Sequence, residues 1–266
     1  MMNVLIIGCG WVGTYTAGEM LREGHRVWGT TTSTEKVVKL TEMGVTPVMV
    51  NFDDTAPAVP TAELRDTPFD VAIISVPITY KDSQEGVRSR FTSLLGFLTA
   101  LQFRQLFFFG SVGIYPKVSA TITEDTFPEA DLEPKLLLGE SMLRSRHRQV
   151  NLLRLGGLFG LERVMAKHFV GKICEIGYQT ANFVHVEDIY CIIRAMIAQK
   201  AQGKTYNVVS PEHPLKKDVI AASAEKYGYG LPAGYTDTDQ TAKVVSPERL
   251  INDLDYRFIH PSPLYF

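Results

Sequence analysis

The sequence predicts an α/β fold: a doubly wound parallel sheet with a small C-terminal substrate-binding region. Two observations carry that prediction. Short apolar runs rich in β-branched and aromatic residues alternate with segments of helical period through the first five strands, the pattern of crossover connections between parallel strands. The first of these strands also runs straight into a glycine-rich turn that opens a helix.

Val4 to Ile7 holds four apolar residues, three of them β-branched, and reads as a buried strand. Thr14 to Glu23 continues as the helix behind the turn. Arg26 to Thr30 is the second strand, and Ser33 or Thr34 before Glu35 would cap the next helix. Val45 to Val50 is a third strand, closing on Asn51 to Asp54. Asp70 to Val76 is a fourth, stopped by Pro77. Asp82, with Glu85 three residues on, starts a helix whose apolar positions Val87, Phe91, Leu94, Leu95, Leu98 and Leu101 keep helical spacing. Gln105 to Gly110 is a fifth strand whose aromatic run belongs to a core. Pro134 to Arg148 suits a helix entered through its proline, and Gln149 to Leu155 is a sixth strand. Residues 161–182 are less regular. Beyond them lie a helix with apolar face Ile189, Ile192, Ile193, Met196 and Ile197, a strand at Tyr206 to Val209 and a helix at Leu215 to Tyr227. In the tail, Glu248 to Phe266, residues Phe258, Leu264, Tyr265 and Phe266 would supply apolar contacts. Asp188 would sit favourably in the first turn of its helix.

The turn carries the chemistry. Gly8, Gly10 and Gly13 fit G-x-G-x-x-G, so Gly8, Cys9, Gly10, Trp11, Val12 and Gly13 are the candidate pyrophosphate cradle of a Rossmann dinucleotide-binding sheet. Gly8 makes the tight turn, Gly10 lets backbone approach the phosphates, and Gly13 lets helix pack on strand. The helix N-terminus adds N–H donors and the positive end of its dipole. In NAD-binding units a carboxylate stands about 20 residues beyond the glycines and holds the ribose 2′-hydroxyl. Here that place is Thr30, Thr31, Thr32 and Ser33, with Lys36 just beyond. Hydroxyls without a carboxylate suit a 2′-phosphate, so NADP is the expected cofactor and NAD the alternative. Asp53 could reach the adenine amino group or simply serve a turn. Val76 and Pro77 fall where a parallel strand meets the ligand crevice and are candidate cofactor wall.

Composition bounds the rest. The chain has 266 residues, 45% of them hydrophobic, and a formal net charge of −2, which gives no basic field for nucleic acid. No apolar run reaches about 18 residues, so no membrane span is expected, and a first core strand at the N-terminus argues against a removable signal. Three cysteines, Cys9, Cys174 and Cys191, lack metal or disulfide spacing and fit a reducing, cytoplasmic setting. No metal site is expected. The expected partner is a small-molecule substrate, and the chain is expected to be a monomer or homodimer. Ser111 leaves the fifth strand where a side chain can meet a substrate, and Tyr115 lies one turn on. Tyr80, Lys172, Asn182 and His185 are the candidate substrate contacts. Lys172 belongs to a local basic cluster with Arg163, Lys167 and His168, either a solvated face or an anion site.

These stretches together resemble the short-chain dehydrogenase/reductase superfamily in its extended, epimerase/dehydratase-like form. The matching pieces are the glycine turn, Ser111 to Tyr115 against S-x-x-V-Y, Leu153-Arg154-Leu155 against the L-R stretch, Phe183 to Asp188 against F-x-H-V-x-D, and Tyr206-Asn207-Val208 against Y-N-V. The turn departs from the usual G-x-x-G-x-x-G, as in atypical members. The resemblance implies a dinucleotide-binding domain over residues 1–160 and a substrate region over 161–266, with 183–209 returning to the sheet. It also implies a catalytic Ser/Thr with Tyr-x-x-x-Lys. Ser111 matches the first, but Leu138 stands where the tyrosine belongs, a place marked by Pro134 and Gly139, and Met142 fills the lysine position. Neither side chain can move a proton. Tyr115 is then the first choice of donor, with Tyr80, Tyr178 and His185 in reserve. The resemblance leaves two functions: an NADP-dependent oxidoreductase or epimerase/dehydratase acting on a small polar metabolite, or a dinucleotide-binding sensor without catalysis. The turn would also suit a β-hydroxyacid dehydrogenase, which would make the second half mostly helical.

Overall fold

A computed structural model describes residues 1–54 and 56–265 of the chain. Phe266, expected to pack with the tail, lies outside the described residues. Seven strands form the main sheet: β1 (Asn3–Ile7), β2 (Arg26–Thr31), β3 (Thr46–Met49), β4 (Pro68–Ile74), β5 (Gln102–Ser111), β6 (Asn151–Leu155) and β7 (Thr205–Val208). Their order is β7-β6-β5-β4-β1-β2-β3. β1 pairs in parallel with β2 and β4, β2 with β3, and β4 with β5. The order reverses beside β1, so the crevice at the carboxyl ends of β1 and β4 is the place for a ligand in a sheet of this kind. Val4 to Ile7 and Val71 to Ile74 are fully buried, which is why these strands read as unbroken apolar runs.

The helices are α1 (Trp11–Arg22), α2 (Thr34–Glu42), α3 (Ala62–Asp66), α4 (Gln84–Thr99), α5 (Pro134–Arg146), α6 (Val186–Ala198), α7 (Lys216–Tyr227) and α8 (Glu248–Leu254). Three differ from expectation. α1 starts at Trp11, ahead of Thr14, because Gly10 already serves as its N-terminal flank. α3 was not foreseen; Thr61 caps its single short run by accepting from the Leu64 N–H. α4 is capped by Ser83, whose hydroxyl accepts from Gly86 N–H, and not by Asp82. The second half carries strands β6 and β7 among its helices, which argues against the mostly helical alternative.

Contacts divide the chain into two units. The first comprises residues 1–110, 133–153 and 197–205, the second residues 111–132, 154–196 and 206 onward. The stretch after β5 and most of α6 belong with the second unit. In the first unit, α4 and the aromatic run of β5 pack together, with Phe91 edge-on to Phe108 at 5.7 Å. Leu138 and Met142 of α5 pack against this same cluster. The second unit is stitched by three short parallel pairs: Gly157–Phe159 with Phe183–His185, Thr121–Ile122 with Val244–Val245, and Ile173–Cys174 with Gly234–Tyr235. Asp188 does more than complement a helix dipole. Fully buried, its carboxylate accepts from the Tyr256 hydroxyl (2.8 Å), Ile259 N–H (2.8 Å) and His260 N–H (3.0 Å), tying the tail to α6.

Candidate functional site

In the first unit, a cavity of about 340 Å³ opens at the glycine turn. Each glycine has its own steric reason. Gly8 has φ +97° and a Cβ there would lie 2.9 Å from the Ser75 carbonyl oxygen. A Cβ on Gly13 would lie 2.4 Å from the Gly8 carbonyl oxygen, so α1 can approach β1 only without a side chain. At Gly10 a Cβ would meet nothing within 4 Å: the space it would fill is the space a ligand needs. Gly10 also flanks α1 without any side-chain cap, leaving the helix start to a phosphate group. The residues present fit a dinucleotide.

Gly8, Cys9, Gly10, Thr30, Thr31 and Thr32 line this cavity, as do Asp53, Val76 and Pro77. Trp11, Val12, Gly13 and Ser33 shape the turn and the helix starts without lining it. The hydroxyls do local work as well. Thr30 Oγ1 accepts from Gly8 N–H at 2.8 Å and Thr31 Oγ1 from Ser33 N–H at 3.2 Å. Ser33 caps α2 by accepting from Lys36 N–H. Lys36 itself lines the cavity. Burial pushes the Cys9 thiol up to about 12, so it is an inert wall.

Sequence reasoning missed Arg90, the seventh residue of α4. Its guanidinium donates to Asp53 (2.7 Å), Asp82 (2.9 Å) and the Pro77 carbonyl (3.0 Å), and it lines the cavity. Asp82 is thus a clamp residue: Arg90 and the Thr79 N–H hold its carboxyl down at about 2. Lys135 bonds the carbonyls of Thr79, Tyr80 and Asp82. The loop after β4 is pinned from two sides by cations that are far apart in sequence. Tyr80, at the loop's outer edge, is 86% exposed and does not line the cavity.

In the second unit, Ser111 Oγ accepts from Gly113 N–H at 3.0 Å, capping a short turn of helix over Val112–Ile114. Tyr115 is buried. Its hydroxyl donates to Asn207 Oδ1 at 2.6 Å and accepts from Arg154 Nη1 at 2.8 Å. Burial raises the phenol above its ordinary value, with Arg154 pulling the other way. A phenol held like this braces Asn207, whose N–H donates to Glu124 and whose side chain reaches the Ser246 carbonyl.

His185 is buried and stacked on His260 with ring centroids 3.6 Å apart. Burial first, and then His260, push its imidazole down to about 4, so it is neutral at pH 7. His260 Nε2 is 2.8 Å from the Glu187 carboxylate, and ligand atoms of His185, Glu187 and His260 lie within 4.8 Å of one another. That grouping was not legible in sequence. His185 Nδ1 already accepts from Glu187 N–H, as a structural histidine would. Tyr178 takes the Lys217 ammonium 4.6 Å over its ring.

A second cavity, of about 270 Å³, lies within this unit. Of the expected substrate residues, Asn182 lines it; Lys172 and His185 do not. Asn182 is braced by donating to the Lys243 carbonyl and accepting from Val245 N–H, both at 2.7 Å. Two lysines of the expected basic cluster bond backbone: Lys167 the Glu162 carbonyl and Lys172 the His168 carbonyl. The cations that do line this cavity are Lys117, Lys216 and Lys243.

The chain is similar over 99% of its length to the protein YeeZ of Escherichia coli strain K12, with 24% identity over 272 residues and 98% of that protein covered. Among solved structures, it is similar to a UDP-glucose-4-epimerase of Stenotrophomonas maltophila with bound NAD: 17% identity, TM-score 0.73, 99% of this chain and 95% of that one. It is also similar to the human epimerase family protein SDR39U1 with NADPH, at 16% identity and TM-score 0.72 over 98% of this chain and 96% of that one. No helix among the described residues is long and apolar enough to cross a membrane. Residues 4–209, from the glycine-turn strand through β7, match the family model described as NAD dependent epimerase/dehydratase family, and the chain belongs to that family.

Proposed function

We propose that the chain is an NADP-dependent oxidoreductase or epimerase/dehydratase acting on a small polar metabolite without a Tyr-x-x-x-Lys pair. The observation that carries this reading is the cavity at Gly10, open where a pyrophosphate would lie and lined at its far wall by Thr31, Thr32 and Lys36. The cavity offers hydroxyls and an ammonium there, and its two carboxylates, Asp53 and Asp82, are both already bonded to Arg90. That balance supports a 2′-phosphate. When bound, the nicotinamide group supplies hydride transfer. This chain's part is to hold the phosphates on the α1 N-terminus and to brace the loop after β4 with Arg90 and Lys135. Ser111 accepts from its own backbone, and a hydroxyl that accepts can still donate to a substrate oxygen. Tyr115 fits a bracing role better than a proton donor's, since both sides of its hydroxyl are engaged.

The test is a binding comparison of NADPH and NADH by fluorescence. We expect NADPH to bind at least tenfold more tightly, and Lys36→Met to erase most of that preference. Tighter NADH binding would refute the 2′-phosphate reading. A second reading, a dinucleotide sensor without catalysis, is supported by one observation: Leu138 and Met142, which the resemblance puts at the positions of the tyrosine and lysine, are partly buried and pack against the core. NADPH bound tightly but never oxidised by a broad panel of carbonyl and imine compounds would favour the sensor.

A further inference from the structure

The cavity of the second unit draws lysines from three separate stretches. Lys117 follows the turn after β5, Lys216 opens α7, and Lys243 precedes the strand Val244–Val245. Converging them is unfavourable in an empty protein. Like charges repel, and burial penalises the Lys216 and Lys243 ammoniums. Lys216 in addition sits at the positive end of the α7 dipole. Yet two of these side chains are fixed in place. Lys243 Nζ donates to the carbonyls of Val112 (3.2 Å) and Tyr115 (3.0 Å). Lys216 Nζ donates to Gln179 Oε1 at 2.6 Å, and Gln179 is anchored on the Asp239 carboxylate at 2.6 Å. Ordinary surface lysines keep their heads in water and their rotamers free. No carboxylate lines this cavity among the described residues; Asp239 acts on it only through Gln179 and at longer range on Lys117 and Lys216.

We propose that this cavity is an oxyanion subsite, gripping a phosphoryl or carboxylate group of the substrate between Lys117, Lys216 and Lys243. The proposal rests on the family reading for the idea that a substrate is bound at all, and it narrows the small polar metabolite to an anionic one. An anion there relieves both costs at once: it screens the lysines from each other and gives each a charge-assisted partner. Thr180 and Thr241, also on the wall, add neutral donors. A neutral ligand would leave the repulsion in place.

The experiment is lysine footprinting on the full chain. The protein is acetylated under limiting conditions and each lysine followed by mass spectrometry, with inorganic pyrophosphate, with citrate, or with sodium chloride at matched ionic strength. Selective slowing of Lys243 and Lys216 by at least tenfold, with Lys172 unchanged, is the expected result. Protection by pyrophosphate alone identifies a phosphoryl subsite, and protection by citrate alone a carboxylate one; protection by both supports the subsite as a general oxyanion grip. No selective protection, or equal protection by sodium chloride, overturns the proposal. In Lys243→Met, the concentration that half-protects Lys216 should rise at least tenfold; no rise overturns the shared grip, and the wild-type footprint stands even if that variant folds poorly. NADPH binding is measured on the same samples. Dinucleotide binding without lysine protection overturns this subsite alone, whereas protection without dinucleotide binding supports the subsite and overturns the proposed cofactor reading.

Discussion

The two cavities are made of different materials. The one in the first unit is organised around the glycine turn: a glycine at φ +97°, a helix start without a side-chain cap, and a threonine hydroxyl that bonds the turn. Its strongest cation, Arg90, is matched by Asp53 and Asp82, so it stiffens a loop more than it attracts a ligand. The one in the second unit is side-chain charge held on loops and a helix end, with no carboxylate on its wall among the described residues. A site made of backbone tolerates pH and fails on steric change. A site made of ammoniums tolerates steric change and fails on charge.

The sharpest way to break that contrast is at the turn. Gly13→Val drives a side chain into the Gly8 carbonyl oxygen, 2.4 Å from the Cβ position. We expect dinucleotide affinity to fall at least 100-fold and unfolding free energy to fall by about 2–3 kcal/mol. Gly10→Ala has open space and should leave the melting temperature unchanged while weakening dinucleotide binding by about tenfold. Equal stability loss in both would end the steric division of labour. Next in size is Asp188→Asn, which weakens three bonds to the tail and should lower stability by about 2 kcal/mol in denaturant titration.

The charge-built cavity should be the pH-sensitive one. Burial, and then Lys216 and Lys117, push the Lys243 ammonium down to about 8; Asp239 opposes this only on the Lys216 side. Lys243 is charged below that value, so anion affinity is full near pH 7 and should fall by about tenfold for each unit well above 8. Without anion, stability moves the other way. The folded amine holds its proton less tightly than the unfolded one, so its penalty is present below about pH 8 and fades as pH rises towards the ordinary value of 10.5. Dinucleotide affinity should show neither trend, and a shared trend would merge the two cavities' chemistry. The smallest effect is expected for Tyr115→Phe. It leaves Asn207 and Arg154 each short of a partner, lowering stability by about 1 kcal/mol, with turnover of any substrate within about twofold of the parent; a far larger loss of turnover would return Tyr115 to the chemistry.

How far each site was legible follows from range. The turn at Gly8, Gly10 and Gly13 could be read because its three constraints lie within one strand–helix connection. Thr30 was legible as a cavity residue for the same reason, although its bond to Gly8 N–H was not. The local basic cluster left two readings open, a solvated face and an anion site. Arg163, Lys167, His168 and Lys172 are dense in sequence, but the two lysines there bond neighbouring carbonyls and do not line the cavity. Lys117, Lys216 and Lys243 carry no local signal at all; they meet because the strand Thr121–Ile122 pairs with Val244–Val245 and α7 starts beside Gln179. Arg90 escaped notice because it lies in a helix whose period speaks only of apolar positions.

By itself, the amino-acid sequence determined the alternating sheet, the strand–turn–helix and the presence of non-ionisable side chains at Leu138 and Met142. These depend on local sterics and on what a side chain can ionise, and neither needs a distant partner. Only the tertiary structure decided that the Tyr115 hydroxyl bonds Asn207 and Arg154, that Asp188 ties down the tail, and which lysines share a cavity. Hydrogen bonds and charges act through space, and the distances that set their strength exist only once the chain has folded.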